Sequence, residues 1–70
     1  MESRPIPIRF LRLPDVLSRT RLSRSQIYRL EAGGRFPQHV KLGDAVSAWV
    51  ESEVDQWCAD RIAASREVVA

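Results

Sequence analysis

A short helix, a second short helix beginning almost at once on a capping signal, and two extended segments hinged on glycine predict a mainly α-helical domain with a small β-hairpin. Three observations carry this. Ser23 and Gln26 form a Ser-x-x-Gln capping box, with Leu22 before the cap and Ile27 at the fourth helical position as a hydrophobic staple. Gly33-Gly34 stops that helix, and Pro37 keeps the chain extended afterwards. Apolar residues recur at helical spacing in two further places, Leu13/Val16/Leu17 and Val50/Val54/Trp57/Cys58/Ile62.

In chain order, residues 1–7 contain Pro5 and Pro7, show no periodicity, and are expected to form a flexible arm. Ile8 to Leu11 reads as a short extended segment with Phe10 and Leu11 as core anchors. The first helix should start at Pro14, which has no amide hydrogen to lose there, and end near Thr20; Asp15 in its first turn suits the helix dipole. The second runs from about Arg24 to Ala32, with Ile27 and Leu30 continuing its buried stripe. Only a tight turn at Arg21 and Leu22 separates the two, which is the helix-turn-helix pattern. His39–Leu42 and Ala45–Trp49 read as strands joined at Gly43-Asp44, a hairpin that makes a wing. A third helix follows from Glu51 or Ser52 to Ser65. The whole is a winged helix-turn-helix over residues 8–65, with two to three short strands, and residues 66–70 are expected to fray.

Seventy residues allow one domain with a modest core and little room for a deep substrate pocket. The N-terminal stretch lacks the apolar region of a signal peptide, and no run approaches the roughly 18 apolar residues of a membrane span. One cysteine, Cys58, makes no internal disulfide and fits a reducing cytosol, so a cytoplasmic location is expected. Cys58 and the single histidine, His39, are too few for a structural zinc site, so no metal or cofactor is expected. His39 has no nearby Asp or Cys in sequence, and no nucleophile with a base and no phosphate-binding glycine loop is present, so the chain does not read as an enzyme.

The net charge of +2 conceals a split. Residues 1–41 hold nine Lys/Arg against three acids, a net +6; residues 42–70 hold two against six, a net −4. Eight of the nine are arginine, whose forked guanidinium suits phosphate and guanine, so the basic half points to a polyanion and the acidic half to something else.

The second helix concentrates the candidates. Its exposed N-terminal face presents Arg24, Ser25, Tyr28 and Arg29, with Ser23 and Gln26 at its start. A recognition helix sets its first residues against base edges in the major groove of duplex DNA. There Arg24 could fork onto guanine O6 and N7, a contact worth roughly 1–3 kcal/mol of discrimination. The amides opening this helix are a natural phosphate site. Tyr28 either bonds a phosphate through its hydroxyl or covers the core. Arg21, in the turn, is placed for phosphate contact, and Arg35 and Lys41 flank the wing. Trp49 and Trp57 are expected in the core, on each other or on Phe10 and Phe36, with Phe36 inserted and Cys58 a small buried hydrophobe. Asp55 and Glu51 read as a repulsive i, i+4 pair on a solvated face.

The runs Phe10–Leu17, Leu22–Leu30, Gly34–Pro37 and Val40–Gly43, with Trp49 and Glu53–Trp57, resemble the AlpA family of phage and integrative-element regulators, related to excisionases and to the DNA-binding head of MerR proteins. The resemblance spans about residues 8–64, and it is the Leu-Ser-Arg-Ser…Ile-Tyr-Arg and Gly-Arg-Phe-Pro segments together that make it specific. It implies a winged helix-turn-helix that binds DNA through the helix after Ser23. It also implies transcriptional control, recombination directionality in excision beside an integrase, or both. Two departures stand out. Arg21 occupies a turn position where the family often has glycine, which costs about 1 kcal/mol if φ is positive there. Where relatives carry arginines after the wing glycine, this chain has Asp44, Ala45, Ser47 and Ala48, and an acidic wing tip opposes phosphate.

Two readings follow. One is a sequence-specific DNA-binding regulator or excision factor, with cooperative self-association on DNA expected because so small a protein covers few base pairs. The other is an adaptor or antagonist that binds an integrase or regulator through the acidic third helix and the wing.

Overall fold

The computed structural model describes residues 7–67. Six elements follow one another: β1 (Phe10–Leu11), α1 (Leu13–Thr20), α2 (Arg24–Ala32), β2 (Val40–Gly43), β3 (Val46–Val50) and α3 (Glu51–Glu67). The strands form one antiparallel sheet in the order β1-β3-β2. The arrangement is a winged helix-turn-helix, mainly helical, with the β2–β3 hairpin as its wing. Except for Pro7, the expected N-terminal arm lies outside the described residues, as do the last three residues of the expected tail.

Every element except β2 supplies a residue to the core cluster: Leu11, Val16, Ile27, Trp49 and Val54, with Phe36 from the α2–β2 loop. Leu13, Leu17, Leu22, Leu30, Trp57 and Cys58 pack around them, partly buried. β3 is central and covered on both sides, so its neighbouring residues Ala48 and Trp49 are both buried although they point to opposite faces. Full burial of such side chains is worth about 1.5–3 kcal/mol each for the larger aliphatics, a large share of the stability of a domain this small.

Local chemistry explains the helix limits. At the start of α1 the Asp15 carboxylate accepts the Arg12 backbone N–H at 3.1 Å, and Pro14 lies in the first turn. The helix starts at Leu13, one residue before the proline. It ends in a left-handed residue, Arg21 (φ 63°), whose N–H donates to Leu17 O at 2.7 Å. The glycine-favouring turn is therefore real, and an arginine occupies it. α2 begins on the expected capping box: Ser23 Oγ accepts the Gln26 N–H at 3.2 Å, and Gln26 Oε1 accepts the Ser23 N–H at 2.8 Å. It ends in a Schellman closure, with Arg35 N–H donating to Leu30 O (2.8 Å) and Gly34 N–H to Glu31 O (3.1 Å). The left-handed residue is Gly34 (φ 74°), not Gly33.

Several expectations need correction. Phe10 is exposed and only Leu11 is buried, because adjacent strand residues face opposite ways and only one side of β1 meets the core. Both wing strands lie one residue later than expected. The turn is Asp44-Ala45, and Leu42 is an extra, bulged residue between the Lys41–Ser47 and Gly43–Val46 pairs. α3 continues through Glu67. Its apolar stripe is covered only as far as Cys58; Ile62 is exposed, because the sheet and loop end before the helix does. Of the packings expected for the tryptophans, the one on Phe36 is found, at Trp57. Trp57 packs edge-on to Phe36 (5.0 Å between ring centres), while Trp49 lies between Tyr28 (6.3 Å) and His39 (5.7 Å).

Two polar links, neither visible in sequence, hold the helices in place. Arg19 reaches from α1 to α3, donating to Glu51 Oε2 at 2.7 Å and Asp55 Oδ1 at 2.8 Å. The carboxylates expected to repel each other thus share one cation. Their hydrogen bonds, Asp55's first, raise the Arg19 pKa above its ordinary value. Glu31, buried at the end of α2, accepts the His39 backbone N–H at 2.6 Å, and His39 Nδ1 lies 2.8 Å from the same oxygen. His39 therefore has an acidic partner eight residues away. Gln38 adds a hydrogen bond to Glu31 O at 2.8 Å. This cluster fixes the end of α2 against the start of the wing.

Candidate nucleic-acid interface

α2 buries Ile27 and Glu31 and turns Arg24, Ser25, Tyr28 and Arg29 outward; all four are exposed. Its first turn holds no acid. The capping box commits Ser23 Oγ and the carbonyl end of Gln26 to the helix start, so these two act first as architecture. Ser25 Oγ lies 3.4 Å from Ser23 Oγ, at the mouth of the helix. Tyr28 sets its ring 6.3 Å from that of Trp49 and remains 43% exposed, so it covers part of the core while keeping a face to solvent.

Arg21 lies in the turn before α2 and is exposed. Lys41 lies on β2, and its ammonium reaches back to the Asp44 carbonyl at 3.5 Å. The wing tip thus carries a cation beside its acid, so its charge is balanced rather than acidic.

Arg35 stands apart from the others. It lines a hollow of about 700 Å³ between the α2–β2 loop and α3, shared with Glu53, Trp57 and Asp60. Trp57 Nε1 donates to the Arg35 carbonyl at 2.7 Å and closes this side. Two carboxylates in the wall make that hollow a poor seat for a polyanion.

A second hollow, of about 480 Å³, opens between the starts of α1 and α2 and the wing. Arg12 and Arg24 line it together with Tyr28, Ser47 and Trp49. Sequence reasoning passed over Arg12 and Ser47. The signal for Arg12 was its place just before the Pro14-Asp15 helix start; Ser47 had none, because its neighbours depend on strand register.

Chemically the face offers forked and single donors and no carboxylate: two guanidinium groups, a phenol and serine hydroxyls around an α-helix N-terminus. Such a set suits phosphate oxygens and the acceptor edge of guanine. Among the described residues no group of three or more His, Cys, Asp or Glu could hold a metal ion, and no helix is long and apolar enough to cross a membrane.

Residues 9–62 match the family model described as prophage CP4-57 regulatory protein (AlpA). The ORF88 protein of Enterobacteria phage P4 is 53% identical over 55 residues, covering 79% of this chain and 62% of the phage protein, so the chain spans less than two thirds of that relative. The DNA-binding transcriptional activator AlpA of Escherichia coli K12 is 36% identical over 62 residues, covering 77% of this chain and 86% of that protein. No solved structure gives a significant match. With its family model matched over most of its length, the chain belongs to the AlpA family of prophage regulatory proteins.

Proposed function

We propose that this chain is a sequence-specific DNA-binding regulator of a prophage or integrative element, with α2 as the recognition helix in the major groove. One observation carries the reading: the outward face of α2 presents Arg24, Ser25, Tyr28 and Arg29 together, exposed and without a neighbouring acid in the first turn. The name of the Escherichia coli relative, a DNA-binding transcriptional activator, supports it. In this reading Arg24 reads a guanine. Arg21, Ser25, Arg29 and Lys41 hold the backbone, and Ser23 and Gln26 present the helix start. Arg35, on the other hollow, contributes only to the overall field. The protein works in the cytoplasm on the chromosome, without a cofactor and without catalysing a reaction itself. Excision of the element beside an integrase, and cooperative binding of several copies to adjacent sites, are the finer roles that fit so small a reader.

The test is enrichment of duplexes from a randomised library, followed by fluorescence anisotropy on the enriched and a scrambled duplex at several salt concentrations. The reading predicts selective binding that falls steeply with salt. Equal weak binding to both duplexes contradicts it. The adaptor reading then takes over, and one feature favours it: from Ala59 to Glu67 every residue of α3 is exposed, Ile62 included, leaving a helix face free for a protein.

A further inference from the structure

The smaller hollow brings Arg24 and Tyr28 of the recognition-helix reading together with two residues that reading does not use, Arg12 and Ser47. Its rim carries two guanidinium groups, Arg12 just before α1 and Arg24 at the start of α2, together with the Tyr28 phenol and the Ser47 hydroxyl of β3. No carboxylate lines it. The nearest acid on α1, Asp15, is occupied by the Arg12 backbone N–H. Part of the wall is apolar, from Leu13, Pro14 and Ala45, and suits the sugar of a nucleic-acid strand as well as its charge.

The floor supplies an independent sign of an absent ligand. Trp49 lines the hollow, is 1% exposed, and its indole N–H is a buried donor without a hydrogen-bond partner among the described residues. Buried polar groups are nearly always paired, and an unpaired one is a standing cost. The Trp49 ring lies 6.3 Å from the partly exposed ring of Tyr28, and both residues line the hollow.

We infer that this hollow seats a backbone phosphodiester of one DNA strand, held by Arg12, Arg24, Tyr28 and Ser47, with the Trp49 indole N–H as its inner donor. The inference rests on the DNA-binding reading and gives the wing a part in it. Where arginine on the wing would reach a strand by charge, Ala45 and Ser47 leave room for the strand to come in and offer it a hydroxyl. Arg24 then stands at the boundary between strand and base edge, with the phosphate seat setting how far α2 enters the groove.

The seat is sequence-independent, so an unselected duplex tests it apart from base reading. On such a duplex Arg12→Gln lowers affinity and makes the salt dependence shallower by about 0.9 in log–log slope, the share of one phosphate. Arg12→Lys restores most of that slope. Arg12 is exposed, and an unchanged melting temperature checks that the variant folds. In ¹⁵N-labelled protein, the Trp49 indole resonance moves on adding the duplex and its proton becomes protected from exchange; Trp57→Phe makes the assignment. An unchanged slope in Arg12→Gln, or an indole unmoved under saturating duplex, overturns the seat even if library enrichment still yields a preferred sequence. A changed slope and moved indole without any preferred sequence leave the seat standing and overturn base reading by α2. A chain that binds no duplex overturns both.

Discussion

The two helices of the helix-turn-helix end in the same left-handed backbone by different means. α2 ends on Gly34 (φ 74°), where an added Cβ would meet nothing within 4 Å, so glycine is there for the backbone and not for space. Its closure runs through main-chain groups, with the Gln38 side chain adding a hydrogen bond to Glu31 O from farther along the chain. α1 ends on Arg21 (φ 63°), and a side chain assists: Thr20 Oγ1 donates to Val16 O at 2.9 Å and accepts the Leu22 N–H at 3.2 Å. A hydroxyl that ties both sides of the turn lets a non-glycine residue be held there. The position so gained is an exposed cation in the turn before α2. Arg21 carries the strain of a Cβ in the left-handed region, and Gly34 the larger entropy that a glycine loses on folding.

The strongest way to break this comparison is to put a β-branched residue at the glycine end. Gly34→Val should cost about 1–2 kcal/mol or more, because the left-handed region opposes a Cβ and a branched one most. Urea denaturation reads this directly, and a change within error would mean that the closure is not what holds the α2 end. Next comes Thr20→Val, which keeps shape and removes both hydroxyl bonds; a loss of about 0.5–1.5 kcal/mol per bond is expected from the same measurement.

Arg21 sharpens the contrast with two variants. Arg21→Gly should gain no more than about 1 kcal/mol, since relief of strain is partly offset by the entropy of an unfolded glycine. Duplex affinity should fall at the same time, alike for every sequence. Arg21→Asn tolerates the left-handed backbone without the charge, and should lose the same affinity with little gain in stability. Equal binding by all three would remove Arg21 from the interface. The smallest effect is expected at Arg19, the other arginine near this end, whose guanidinium is paired with Glu51 and Asp55. Arg19→Ala should loosen α3 against α1, seen as faster amide exchange in the first turns of α3, while the duplex salt slope stays as it was.

What could be read from the sequence follows the range of the interactions. The capping box, staple and glycine stop of α2 lie within a few residues of one another, and the helix stands where those signals put it. The glycine-preferring turn at Arg21 was also legible, through the family resemblance. The Arg19 links to Glu51 and Asp55 span 32 and 36 residues, and the Glu31–His39 pair crosses from a helix end to a strand. No spacing rule reaches those, so a shared cation looked like two repelling acids and a partnered histidine looked isolated. Phe10 failed for another reason: a strand of two residues offers no alternation to say which side faces in. The wing shifted by one residue because the Leu42 bulge has no mark in composition. The meeting of Arg12 and Ser47 on one hollow was hidden for the same reason, since it arises only when the α1 start and β3 come together.

Base reading by the N-terminal face of α2 is the central claim, and affinity across single-base-pair variants of the enriched duplex tests it most directly. Wild type and Arg24→Ala would be compared by anisotropy at one salt concentration. The account predicts one guanine position where wild type discriminates by about 1–3 kcal/mol and the variant hardly at all, with discrimination elsewhere retained. If Arg24→Ala instead weakens every duplex by the same factor and keeps the full preference, Arg24 holds only backbone, and the sequence is read somewhere other than the face of α2.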